Sequence, residues 1–218
     1  MIGQRTEPPS ATVPAAAQCA PAAHVALKQS AARIGPREPS LFETVRLASA
    51  LAIVLTLACG LIAAVVHAGF AAQARRWLAF PFTGIPARPD IAARIFLHNL
   101  RALAAVGGMI LITQSGQWRA HEPTRAPTTA RRLGEVLLGG AIVANLIVVG
   151  ASFGAYGTRM LRAALPHGPL ELAAYSLALA LFRQGRTRAL PARHLLTIVT
   201  LSVATLALAA VLETYVNL

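Results

Sequence analysis

Long apolar runs alternate along this chain with short, arginine-bearing breaks. Leu47 to Ala74 contains no Asp, Glu, Lys or Arg. A first bilayer crossing over Leu47–Phe70 is therefore predicted, since an α-helix needs about 20 mostly apolar residues to span the hydrocarbon layer. A second is predicted over Ile95–Gln117, carrying Asn99 and Arg101 inside it, and a third over Val136–Gly157 with Asn145 midway. A fifth runs from Leu195 to Val211. Between them lies "HGPLELAAYSLALALFRQG", His167 to Gly185, whose uncharged run Leu172–Phe182 is much shorter. Backbone groups cannot be left bare in lipid, and no strand-length alternation repeats, so all five are read as helices. The expected fold class is all-α: a polytopic transmembrane helix bundle of about five spans, with a short, interrupted fourth helix.

The beginning of that fourth helix decides what chemistry the bundle holds. Pro169 suits the first helical position, where its missing N–H costs nothing, which makes Gly168 the N-cap. Glu171 then lies in the first turn, against the partial positive charge of unpaired N–H groups. A helix from Pro169 to Phe182 covers about 21 Å, against a hydrocarbon core of about 30 Å. Its head is expected to sit below the membrane surface, enclosed by protein or a wet cavity. Span two offers His98, Asn99 and Arg101 from the same side. The expectation is an Arg101–Glu171 ion pair, with Asn99 capping free backbone groups. The alternative is an Arg101 that snorkels to the headgroups while Glu171 stays in the headgroup layer. The candidate polar core is His98, Asn99, Arg101, Pro166, His167, Gly168 and Glu171. For helix packing the strongest small-residue pair is Gly150 and Gly154, a GxxxG, with Asn145 as an interhelical hydrogen bonder. Gly60/Ala64, Gly107, Gly108 and Ala174/Ala178 are weaker candidates.

Composition agrees with the pattern. Of 218 residues, 56% are hydrophobic and 13% charged, where soluble domains have roughly 25% charged. Residues 1–40 are rich in Pro, Ala and Ser and are expected to form a disordered cytoplasmic tail, without the compact apolar core of a signal peptide. Residues 41–218 form the transmembrane helical domain. The net charge of +12 is spread over the ends of the apolar runs and lacks an accompanying aromatic stacking set, so no nucleic-acid partner is expected. More of these cations lie beside Arg46, Arg131 and Arg193 than beside Arg88 and Arg159, which favours a cytoplasmic N-terminus and an external C-terminus. Arg75 and Arg76, with Trp77, Phe80 and Phe82, run against that trend. They suit either a segment lying in the headgroup layer or a plain surface loop. Cys19 and Cys59 give no disulfide framework, and the scattered histidines give no close-spaced metal-ligand pairs. No metal or cofactor is expected.

Two stretches carry a resemblance. "PHGPLEL", Pro166 to Leu172, heads a short apolar helix ending at Gly185, and "IFLHNLRAL", Ile95 to Leu103, opens an earlier span. Together they resemble the stage II sporulation protein M family of integral membrane proteins, in order and topology over residues 45–215. The family often has paired asparagines where His98-Asn99 stands here. The resemblance implies a non-catalytic inner-membrane subunit or scaffold of an envelope-remodelling complex, whose lytic activity belongs to partner proteins. It also places Asn99, Pro166, His167, Gly168 and Glu171 at the family's characteristic positions. Partners implied are the bilayer, other membrane or envelope proteins, and a second copy in a homo-oligomer. The competing reading is a small-solute or ion transporter component using Arg101, Glu171 and His167. A third is an intramembrane hydrolase at Ser152, in "GASFG", which requires a neighbouring histidine base.

Overall fold

A computed structural model describes residues 39–79, 86–118 and 126–216, which belong to one compact unit beginning at Glu38. The expected tail lies outside the described residues except for Pro39 and Ser40, as do Phe80 and Phe82. Ser40 opens the first helix, α1 (Leu41–Val65), through a capping box. Its hydroxyl accepts from the Glu43 N–H at 3.1 Å, and its own N–H donates to the Glu43 carboxylate at 3.4 Å. Two of the helix's orphan donors are thereby satisfied. One π-helical turn, Val66–Phe70, joins α1 to α2 (Ala71–Leu78), which stops at a left-handed Ala79. Then come α3 (Pro89–Trp118), α4 (Ala126–Tyr156), the short α5 (Thr158–Ala164), α6 (Gly168–Thr187) and α7 (Ala192–Tyr215). No strand occurs among the described residues.

Four stretches are long and apolar enough to cross a membrane: Leu41–Leu78, Pro89–Ser115, Arg131–Tyr156 and Ala192–Tyr215. They turn large apolar side chains outward, among them Ile53, Leu57, Leu61, Val136, Leu137 and Leu196. In water such a surface would drive aggregation. In a bilayer it is the solvated face, and these helices mark a membrane protein. The sixth helix is built the other way. α6 is enclosed by α1, α3 and α7, and Ala174, Ala178, Ala180 and Leu181 on it are buried against Leu103, Ile110, Ile198 and Leu206. Its alanines let neighbouring backbones approach closely, the usual route to packing where lipid gives no hydrophobic drive.

The expected shortness of this helix is corrected. α6 continues past Phe182 through Arg183, Gln184 and Gly185 to Thr187, twenty residues in all, or about 30 Å at 1.5 Å per residue. It also starts one residue earlier than expected, with His167 as the N-cap and Gly168 inside the helix. The polar residues that seemed to end it are satisfied by neighbouring helices, so its composition need not suit lipid.

The helix directions follow from the contacts. Glu171 at the start of α6 meets Asn99 near the start of α3, and Gly185 near its end meets Gln114 near the end of α3. The two therefore run parallel. Thr44 at the start of α1 and His194 at the start of α7 meet at the same end as Gln184, so α1 and α7 run against α6. We call the end where α1 and α7 begin the N-face, and the end where α3 and α6 begin the C-face.

Candidate functional site

At the C-face a cavity of about 570 Å³ opens between α3, α6 and α7, lined by Arg94, His98, Asn99, Arg101, His167, Glu171 and Glu213, with Ile95 and Leu97 completing it. Five of the residues singled out from sequence thus meet in one place. Pro166 lies in the turn that leads into α6, and Gly168 is the first residue of the helix. Gly168 is not there for want of space, since a Cβ would find only Ala164 at 3.7 Å.

The expected Arg101–Glu171 ion pair is absent. Glu171 instead accepts a hydrogen bond from Asn99 Nδ2, and the Asn99 carbonyl accepts one from Tyr175 Oη at 3.2 Å. Asn99 is therefore not a backbone cap but the side chain that holds Glu171. The reason is helical geometry. Residues two apart project about 200° from one another around a helix, so a helix that turns Asn99 toward Glu171 turns Arg101 away. Arg101 is exposed and borders the cavity mouth. Arg94 and Glu213, which sequence reasoning missed, complete the charge set. Glu213 lines the same cavity as Glu171. Among the described residues none of Arg94, Arg101, Glu171 or Glu213 takes part in an ion pair. His167 also has its Nδ1 buried without a hydrogen-bond partner among the described residues. Topology was the signal for Glu213, because a span beginning at the N-face must carry "LETY" to the C-face.

The N-face end of α6 has the opposite character. Gln114 is fully buried. Its Nε2 donates to the Gly185 carbonyl at 2.9 Å and to the Arg188 carbonyl at 3.3 Å, while its Oε1 accepts from the Leu190 N–H at 3.0 Å. One side chain thus caps the carbonyls that a helix C-terminus leaves open. Thr44, also fully buried, donates to Gln184 Oε1 at 3.0 Å and lies 3.0 Å from His194 Nε2. Outside these, Arg188 pairs with Glu43 at 3.3 Å. The amide fits only because position 185 is glycine, since a Cβ there would stand 2.9 Å from Gln114 Nε2. None of this network was singled out from sequence.

The remaining candidates separate clearly. Gly150 and Gly154 lie where α4 meets α1. A Cβ at Gly154 would be 2.5 Å from the Ala63 carbonyl oxygen, and one at Gly150 would be 2.8 Å from Ile62 Cβ. Beside this seam Arg75 Nε donates to the Ala155 carbonyl at 2.7 Å, and His67 Nδ1 lies 3.3 Å from the Gly154 carbonyl. Arg75 thus serves the negative end of α4, within a helix rather than a loop. By contrast, Gly60, Gly107 and Gly108 have open space at the Cβ position. Asn145 is exposed on α4, and no hydrogen bond joins it to another helix among the described residues. Ser152 is buried, and its hydroxyl donates to the Val148 carbonyl of its own helix at 2.8 Å. No histidine hydrogen-bonds to it among the described residues. No group of three His, Cys, Asp or Glu side chains that could hold a metal occurs among the described residues either.

Comparison with known protein families, characterised proteins and solved structures gives no match. Fold and site by themselves define the class: an all-helical membrane bundle with one enclosed helix, polar at both ends.

Proposed function

We propose that this chain is a non-catalytic integral subunit, or scaffold, of an envelope-remodelling complex in a bacterial inner membrane, akin to the stage II sporulation protein M family. Its N-terminus faces the cytoplasm, so the cavity faces outward. The observation that carries the reading is the contrast along α6. A polar cavity opens at one end, and the other end is sealed by Gln114, Thr44 and Gln184. A dead-ended cavity suits holding a fixed partner or ligand better than passing one through. A helical core without a further extramembrane unit among the described residues suits an anchor for partner proteins. Purification of the tagged full-length chain after crosslinking in intact cells tests this. A reproducible envelope partner supports the reading, and recovery of the chain alone contradicts it.

The transporter reading has one observation in its favour: unpaired charges of both signs around a cavity at a helix start, the way substrate sites are built in carriers. Flux of protons or small solutes in proteoliposomes, compared with Glu171→Gln, separates the two. The scaffold reading expects no difference between the proteins.

A further inference from the structure

The C-face cavity has a charge pattern of its own. Two guanidinium groups, Arg94 and Arg101, and two carboxylates, Glu171 and Glu213, border one space, and none is neutralised by another. Unpaired charges of both signs at the edge of a membrane are costly unless a ligand or water meets them, and a ligand that complements all four must itself carry both signs.

The lining narrows the class. Guanidinium groups present planar forks of N–H donors that match phosphate oxygens, and the buried, unpartnered His167 Nδ1 offers one more polar contact. Two carboxylates lining one cavity suit a primary ammonium, which donates three hydrogen bonds. A quaternary ammonium donates none and is held by aromatic cages, whereas the cavity lining contains no Phe, Tyr or Trp. The depth narrows the source. Arg94 lies in the second turn of α3 and Glu213 two residues from the end of α7, the level of lipid headgroups. Ile95 and Leu97 also belong to the lining, and Leu97 is 53% exposed on the apolar outer surface. The cavity is therefore continuous with the lipid-facing side.

We infer that the C-face cavity binds a phosphoethanolamine-type zwitterion, its phosphate on Arg94 and Arg101 and its primary ammonium between Glu171 and Glu213. The headgroup of a membrane phospholipid is the source that best fits the depth. This goes beyond the scaffold reading and stands or falls without it, because its test needs no partner protein.

The test is native mass spectrometry of the purified full-length chain. It is offered phosphatidylethanolamine, phosphatidylcholine and phosphatidylglycerol of identical acyl chains, with and without free O-phosphoethanolamine. Phosphatidylethanolamine should be retained at least about tenfold better than either other lipid. Glu213→Gln and Arg101→Gln should each remove that preference. Neither side chain forms an ion pair among the described residues, so both variants should melt like the parent, which separates lost binding from lost folding. Competition by free O-phosphoethanolamine supports headgroup recognition. If the free compound binds and the lipid shows no preference, the same chemistry is served by a soluble zwitterion. Equal retention of all three lipids, or of phosphatidylglycerol and phosphatidylethanolamine alike, without binding of free O-phosphoethanolamine, overturns the inference. So does a preference that survives both substitutions, which marks ordinary annular lipid.

Discussion

The two ends of α6 solve the same problem differently. Each brings polar groups into a bundle whose outer surface is apolar. At the N-face every polar atom that Gln114 offers is matched, and the fully buried Thr44 bonds across to Gln184. At the C-face Asn99 donates to Glu171 and Tyr175 to the Asn99 carbonyl, while Arg94, Arg101 and Glu213 form no ion pair among the described residues and stand around an open space. A satisfied network holds helices together, and a partly satisfied one is held open by the rest of the fold. The difference teaches that burial of polar groups does not by itself mark a functional site in such a protein. What marks it is a cluster of charges left without mutual satisfaction around one open space.

If that division is right, substitutions should separate by end. Gln114→Leu should cost most, about 3 kcal/mol, because it strands the Leu190 N–H and two helix-terminal carbonyls. Thermal or denaturant unfolding in detergent would measure it. Thr44→Val, nearly isosteric, should cost about 1.5 kcal/mol through the lost bond to Gln184. At the C-face, Asn99→Leu should cost under about 1 kcal/mol, since Glu171 can turn to water in the open cavity. A larger loss there than for Thr44→Val would reverse the comparison. Midway along α6, Ser176 buries a hydroxyl with no partner. Ser176→Ala should therefore leave stability unchanged or raise it by up to about 1 kcal/mol, the desolvation penalty removed. A melting point lowered by that substitution would show a missed contact.

Much of the fold was legible because lipid is the solvent. Where a helix faces the bilayer, hydropathy reports it directly, and the runs from Leu47, Ile95, Val136 and Leu195 are all helical. The same logic misjudged α6. Its surroundings are other helices, so Gln184 and Gly185 read as an ending when they are the closed end of a full-length helix. Gln114 was invisible for a related reason. A lone glutamine near the end of an apolar run looks like an exit to the headgroups, and only the tertiary fold sets it against Gly185. The cavity was half legible. Topology placed His98, Asn99 and Arg101 with His167 and Glu171, but the choice between Asn99 and Arg101 depended on which way α3 is rotated.

The central claim is that the C-face end of α6 is wet and the N-face end sealed. Replacing Cys19 and Cys59 by serine, then introducing His98→Cys or Gln184→Cys singly, allows a direct comparison in nanodiscs, where a charged thiol reagent reaches both faces. The account predicts rapid labelling at position 98 and little at position 184 until the protein is unfolded. Equal rates, or faster labelling at position 184, would contradict it.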